Sequence, residues 1–323
     1  MNVPDRPANA PQEQARIAAA SVAAGDPRLA ISLEIEAKPA SARAFLVHQH
    51  FHYAYEGPVR DLRQRLMVIP PERHGDQRLV LHHLEVSTPT SGYFRDIDRF
   101  GNLRMLLLVD AVTDAITFTV WFVVERDSAL GTTPVAAGIA GDPVWLQLTP
   151  LTAPDPAMIA AAAGMMAVRG DPLDQARRIC HWIHERMRYE PGATTVQTTA
   201  AEAFASGRGV CQDFAHIMLA MCRTCGIPAR YVSGHLMGEG GSHAWVEVIL
   251  PDPEQPGRFV AYPFDPTHAN GPMADTITVA LGRDYADVPP TSGTFISAFG
   301  GHLTATKQAT VMPSAAIPSL SEP

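Results

Sequence analysis

Between Phe45 and Val124 apolar and polar positions alternate with a period close to two, the pattern of strands that bury one face. Val47, Phe51, Tyr53 and Tyr55 alternate imperfectly with His48, His50 and His52, and Glu56-Gly57-Pro58 closes that run as a turn. Residues 79–86, 103–109 and 116–124 predict further short strands, broken by Phe100-Gly101-Asn102 and by polar stretches. The pattern predicts an antiparallel β domain over residues 31–130, preceded by a flexible segment, residues 1–30, in which Pro4, Pro7, Pro11 and Pro27 stand among alanines. Over residues 131–154 Gly, Pro and Ala prevail without a sustained period, so this stretch is expected to be a linker.

Beyond it the period changes to three and four. Asp171-Pro172 has the form of an N-cap with Pro at the first helical position, and Leu173, Ala176, Cys180, Ile183 and Met187 fall on one face. Phe214, Met218, Met221 and Cys225 mark a second helix, which Gly226 stops with Pro228 two residues on. Residues 229–235, 244–250 and 259–263 read as strands separated by the glycine-rich stretch 238–242 and by residues 252–257. The fold class expected is therefore α+β, an antiparallel β domain followed by helices and a sheet over residues 155–303. A small, polar C-terminal tail, residues 304–323, is expected to be disordered in its outer part.

Composition narrows the function classes. The chain has 323 residues, 46% hydrophobic and 18% charged, enough for two domains with sizeable cores. Twenty-five Lys and Arg against 33 Asp and Glu give a net charge of −8, which argues against a nucleic-acid partner. The longest apolar run, residues 158–168, is too short for the ~20 residues of a membrane span, and no basic n-region precedes an apolar stretch at the N-terminus. A cytoplasmic protein without a membrane partner is expected. Four cysteines (Cys180, Cys211, Cys222 and Cys225) are too few for a disulfide framework in such a chain.

Cys211 stands at the start of the second predicted helix, behind Gly209-Val210, where free backbone N–H groups and the helix dipole favour a thiolate. Its own N–H is also placed to meet a developing oxyanion. His243, at the mouth of a predicted strand after the glycine-rich stretch, is a candidate base. Asp265, at the end of the next strand, supplies a carboxylate that a hairpin would bring beside His243. Taken alone, Asp265 before Pro266 also fits an Asx turn.

Four ordered blocks carry a resemblance: Gly-Val-Cys-Gln-Asp-Phe-Ala at 209–215, Cys-Gly-Ile-Pro-Ala-Arg-Tyr-Val-Ser-Gly at 225–234, Ser-His-Ala-Trp-Val-Glu-Val at 242–248 and Phe-Asp-Pro-Thr at 264–267. Together with residues 282–290 they resemble the bacterial transglutaminase-like superfamily, whose members are often described as cysteine proteases. The likeness covers residues 155–300, and Tyr53-Ala54-Tyr55-Glu56-Gly57-Pro58 with Phe100-Gly101-Asn102 is similar to the β-rich domain that usually precedes this core. The resemblance implies a papain-like α+β core in which Cys211 attacks an acyl carbon of a peptide or protein amide, His243 shuttles the proton and Asp265 orients the imidazole. A thioester acyl-enzyme would follow, released to water by a hydrolase or to an amine by a transamidase, with hydrolysis the commoner expectation in the family. The competing reading is a non-catalytic binding module on the same fold. No cofactor is implied, and no acidic loop of the EF-hand kind suggests calcium.

Several residues carry weaker signals. Gln197, Tyr189 and Trp182 lie upstream with N–H or O–H groups suited to a second oxyanion donor, and spacing selects none of them. Asp213 fits a helix-start charge better than a catalytic acid, and His268 reads as a pocket residue or an exposed loop residue. Cys222 and Cys225 are expected in the core rather than in a zinc site. His48, His50 and His52 are expected on a solvated face rather than around a metal, and His82 and His83 on opposite faces of one strand. His181 and His184 are expected at the surface of the first helix, where one could line the cleft.

Overall fold

The computed structural model describes residues 29–31, 43–127, 131–168, 170–237, 241–269 and 275–312. One sheet joins β1 (Leu29–Ile31), β2 (Arg43–Tyr55), β4 (Arg73–His74), β5 (Gln77–Val86), β8 (Ala115–Arg126) and β17 (Gly301–Met312) in the order β1-β5-β8-β2-β17, with β4 beside β5. A second sheet has the order β16-β3-β7-β6, from β3 (Val59–Leu66), β6 (Gly92–Ile97), β7 (Leu103–Val112) and β16 (Thr291–Ile296). The two form a sandwich because alternate positions are apolar: Phe45, Val47 and Phe51 of β2 and Phe118 and Phe122 of β8 share a core with Leu62 and Leu66 of β3 and Met105 and Leu107 of β7.

The third sheet, order β15-β12-β13-β14-β9, is antiparallel and comprises β9 (Thr133–Val135), β12 (Ala229–Leu236), β13 (His243–Pro251), β14 (Phe259–Phe264) and β15 (Thr276–Gly282). Helices α1 (Ala137–Ala140), α2 (Pro156–Met166), α3 (Pro172–Arg186), α4 (Ala200–Ser206) and α5 (Cys211–Thr224) accompany it, and β10 (Arg188–Tyr189) pairs in parallel with β11 (Arg208–Gly209). Val246 and Val248 of β13 bury against Phe214, Ile217 and Met218 of α5, each such side chain contributing about 1.5–3 kcal/mol. The α+β architecture expected from the sequence is the one observed.

Helix α3 starts where the Asp-Pro signal put it, with the Asp171 carboxylate accepting from the Asp174 N–H at 2.8 Å. Helix α5 is buried on every side from Gln212 to Arg223, more than its apolar stripe implied, because it runs through the centre of the core. The same Asp-Pro signal begins α2, where Asp155 accepts from the Met158 N–H at 2.7 Å, and a Thr199–Glu202 capping box begins α4. Neither shows periodicity: α2 is apolar all round and α4 is only seven residues long.

Two expectations are corrected. Residues 131–154 are not a linker: β9 extends the third sheet through Phe259↔Val135, Trp145 is buried, and buried Arg223 donates to the Trp145 carbonyl (3.2 Å) and to Thr152 Oγ1 (3.1 Å). Short elements interrupted by Gly and Pro leave no period to read. Nor do the core and tail divide at residue 303: the chain returns to the sandwich as β16 and β17, with Met312↔Ala44 the last pair of a ladder that starts at Gly301↔Tyr55. Thr304 to Met312 is polar because it forms an edge strand, held by main-chain hydrogen bonds and largely exposed. Residues 1–28, 238–240 and 313–323 of the expected terminal segments and glycine-rich loop lie outside the described residues.

The sandwich grips the third sheet through side-chain amides and one buried ion cluster. Gln77 donates to the Thr278 carbonyl and accepts from its N–H, both at 2.8 Å, while Asn102 does the same for Leu281 at 2.7 and 2.8 Å, so the edge of β15 is paired. Arg230 and Glu247 face each other across β12 and β13 at 2.6 Å, and His74 of the sandwich reaches Glu247 at 2.9 Å. Burial pushes the Glu247 carboxyl up, but Arg230 and His74 outweigh it and hold it at about 2. Glu247 therefore contributes stability that is complete above its ordinary value of 4.5 and is lost as pH falls towards about 2. Glu247→Gln strands Arg230 and should cost roughly 3–5 kcal/mol in urea unfolding at pH 7, a deficit that shrinks below pH ~4.5. An unchanged midpoint at pH 7 would show that the cluster holds nothing together.

Candidate active site

Cys211 is the first residue of α5, and the turn that presents it is built by its neighbours. The Asp213 carboxylate folds back to accept from the Val210 N–H (2.8 Å) and from the Thr194 hydroxyl (2.6 Å). A Cβ on residue 209 would lie 2.6 Å from that carboxylate, so only glycine fits there. Burial nevertheless pushes the Asp213 carboxyl upward, the two hydrogen bonds offsetting part of the effect. Asp213 is thus a helix-start carboxylate, as its position suggested. At the first turn of α5 the Cys211 N–H has no intrahelical acceptor.

His243 opens β13 opposite Gly234 of β12. The ladder between β12 and β15 slips at Ser233/Gly234, and a Cβ on Gly234 would strike the Ile277 carbonyl at 2.1 Å, so glycine lets the strands close around the histidine. The His243 ring stacks on Trp245, with centroids 6.2 Å apart. Asp265 follows β14 directly and is fully buried. Its Oδ1 accepts from the Thr267 N–H at 2.9 Å, the Asx turn, and its Oδ2 accepts from His243 Nε2–H at 2.8 Å. Asp265 thus closes the Asx turn with one oxygen and meets His243 with the other.

With Nε2 committed to Asp265, Nδ1 is left for the thiol of Cys211, which is close enough to act on the ring. Burial alone would lower the His243 pKa, but the bond to Asp265, the neighbouring Cys211 and their negative charge carry it to about 10. Asp265 sits below its usual range, since His243 and His268 overcome the cost of burial. Three residues from different parts of the sequence converge: a thiol, an imidazole and a carboxylate.

His268 also reaches Asp265, its Nδ1–H donating to Oδ2 at 2.7 Å with its ring 5.3 Å from that of His243. It is part of the site rather than an exposed loop residue. His184 of α3 donates from Nδ1 to the Thr267 carbonyl at 2.9 Å and so ties down the loop carrying Asp265, a role its sequence position did not reveal. Among the described residues His243, Asp265 and His268 are the one group of potential metal ligands close together. The two N–O separations of 2.7 and 2.8 Å are hydrogen-bond lengths, and the chemistry drawn from the site needs no metal.

The upstream candidates fall in different places. Gln197 lies in an exposed loop pinned to the Cys211 turn at two points, by Thr194 to Asp213 and by Gln212 Nε2 to the Val196 carbonyl (3.2 Å). Tyr189 pairs with Gly209, and its half-exposed ring lies 6.5 Å from Phe214. Trp182 stacks on Phe204 at 5.7 Å beneath the Arg186 guanidinium, which accounts for it as packing. Cys222 is fully buried and Cys225 donates weakly to the Ala162 carbonyl, both on the core side of α5. His50 and His52 bond to Thr119 and Thr117 across the strand pair, and His83 packs on Trp121.

An antiparallel sheet carrying a cysteine helix, behind a β sandwich, places the chain in a recognisable class. Residues 159–264 match the model of the transglutaminase-like superfamily, and residues 45–125 match that of the bacterial transglutaminase-like N-terminal region. The uncharacterized protein ML0607 of Mycobacterium leprae is 30% identical over 267 residues, covering 75% of this chain and 90% of that protein. Rv2569c of Mycobacterium tuberculosis, also uncharacterized, is 31% identical over 260 residues, 70% of this chain and 79% of that one. A crystal structure from Cytophaga hutchinsonii described as a "putative cysteine protease" superposes with a TM-score of 0.67 over 85% of this chain and 92% of that chain, at 19% identity, which shows a shared fold. The chain belongs to the transglutaminase-like superfamily and carries the family's bacterial N-terminal region. No helix among the described residues is long and apolar enough to cross a membrane.

The other thiols are poor nucleophiles, because burial pushes Cys180 up to about 12 and raises Cys222 and Cys225 as well. Iodoacetamide at neutral pH should therefore label Cys211 first, with the fast phase lost in Cys211→Ala and slowed in His243→Ala at pH 6 to 7. Peptide mapping that found all four labelled at one slow rate would contradict this reading of the site.

Proposed function

We propose that the protein is a cysteine-dependent acyl hydrolase acting on a peptide or protein amide through Cys211, His243 and Asp265. The observation that carries the reading is a thiol at a helix N-terminus beside a buried imidazole that is hydrogen-bonded to a fully buried carboxylate. Such an arrangement keeps His243 protonated at neutral pH, with a proton ready beside the attacking sulfur.

In this reading the thiolate attacks the amide carbonyl and the C=O electron pair moves onto oxygen, forming a tetrahedral intermediate. The Cys211 N–H at the start of α5 is the first donor to that oxyanion, and Gln197, on the loop docked against the same turn, is the second donor we assign. Collapse breaks the C–N bond as His243 passes its proton to the departing amine, leaving a thioester on Cys211. His243, neutral again, removes a proton from water. The resulting tetrahedral adduct expels the thiolate and releases a free acid. Asp265 holds the ring and its tautomer throughout, while His268 and His184 hold Asp265 and its loop.

With an N-acylated glutaminyl peptide, mass spectrometry of quenched reactions should find the acyl group on Cys211 and the free acid in solution. Cys211→Ala should abolish turnover, Asp265→Asn should lower kcat by roughly 10²- to 10⁴-fold, and Gln197→Ala by about 10²-fold. Incorporation of an added primary amine in place of acid would assign a transamidase. Turnover unaffected by Cys211→Ala would rule out the cysteine mechanism, and no turnover or adduct on any substrate would leave the fold as a binding module.

A further inference from the structure

The sandwich contains a cavity of about 680 Å³ that includes none of the residues around Cys211. It opens between β5 and β6, and Leu79, Ile97, Leu103 and Pro70 give it apolar walls. His82 lies among them, 4% exposed, on the same strand as Leu79. Neither of its ring nitrogens has a hydrogen-bond partner among the described residues. Folded proteins rarely leave a buried imidazole unsatisfied at both nitrogens, because the ring has given up water at each and gained nothing in return. The neighbouring His83 packs its ring against Trp121 instead.

The charges at the rim are unequal. Asp96 is held by Arg104 through both oxygens and is thereby neutralised, and Glu72 and Arg73 are adjacent and opposite in sign. Arg95 is exposed, and its guanidinium makes no hydrogen bond or ion pair among the described residues. Burial, with the Arg95 charge and His83 added to it, pushes His82 down to about 4, so His82 is neutral at physiological pH and offers one N–H. A deep N–H donor and a guanidinium within electrostatic reach of it thus line one cavity together with apolar walls.

We infer that this cavity binds a small carboxylate with an apolar body, its head group between Arg95 and the His82 N–H and its body against Leu79, Ile97 and Leu103. A carboxylate satisfies both donors, whereas a neutral apolar ligand leaves them unpaired. Aliphatic acids and the C-terminus of a peptide ending in an apolar residue share this chemistry. The site stands apart from Cys211 and does not depend on the reaction proposed there.

Isothermal titration of the full chain with octanoate and with N-acetyl-leucine separates the two sources, and octanol and N-acetyl-leucinamide serve as uncharged controls. At least one acid should bind with a Kd below about 1 mM, and its uncharged counterpart at least roughly tenfold more weakly. Arg95→Ala, an exposed substitution, should weaken the acid by about tenfold or more and leave the melting temperature and the Cys211 alkylation rate unchanged. In NMR spectra assigned with His82→Gln, the His82 ring signals should move on saturation. No binding of either acid up to about 10 mM, equal binding of the uncharged analogues, or equal binding by Arg95→Ala would overturn the assignment.

Discussion

The candidate site depends on one buried negative charge. Asp265 is fully removed from solvent, and a carboxylate there is tolerable only because Thr267, His243 and His268 each direct an N–H at it. Those three donors fix the turn after β14, the tilt of the His243 ring and the nitrogen that ring presents to Cys211. Without the charge, His243 would be a buried histidine with a depressed pKa, as His216 and His235 are, each held at about 3. Burial lowers all three imidazoles, and the carboxylate partner is what sets His243 apart.

The fold serves that charge by placing three remote segments at one end of the third sheet. The β13–β14 hairpin sets the register, Val246↔Phe264, that leaves His243 and Asp265 beyond the last pair. The central helix α5 points its N-terminus at the same end, held at its other end by Arg223 through contacts to Trp145, Thr152, Ala229 and Arg283. The sandwich is not an appendage to this arrangement: Gln77, Asn102 and His74 bond directly to β15 and β13, and the C-terminal strand closes the edge of β2.

Much of this was legible in the sequence, for physical reasons that also mark where reading fails. Cys211, His243 and Asp265 stood out because each lies at a helix start or a strand end, positions marked by glycine and proline, and inside the blocks that carried the family resemblance. The strands of the sandwich showed their period because one face is buried and the other is wet. Strand β17 did not, since an edge strand secured by backbone bonds can be built from Thr, Ala and Gln. The roles of His268 and His184 were hidden because a single hydrogen bond across a loop leaves no trace in spacing. Glu247 and Arg230 stood inside the motifs that carried the family resemblance, yet their task, pairing across two strands and docking the sandwich, becomes visible only in the register.

The most direct test of the account is the charge on His243. Nitrogen-15 NMR of histidine-labelled protein, with His243 assigned by its loss in His243→Gln, should show both ring nitrogens protonated from pH 6 to pH 8 and deprotonation only as pH approaches about 10, with Asp265→Asn bringing it down towards the ordinary value of 6.5. A His243 ring already neutral at pH 7 in the native chain, and indifferent to Asp265→Asn, would contradict it.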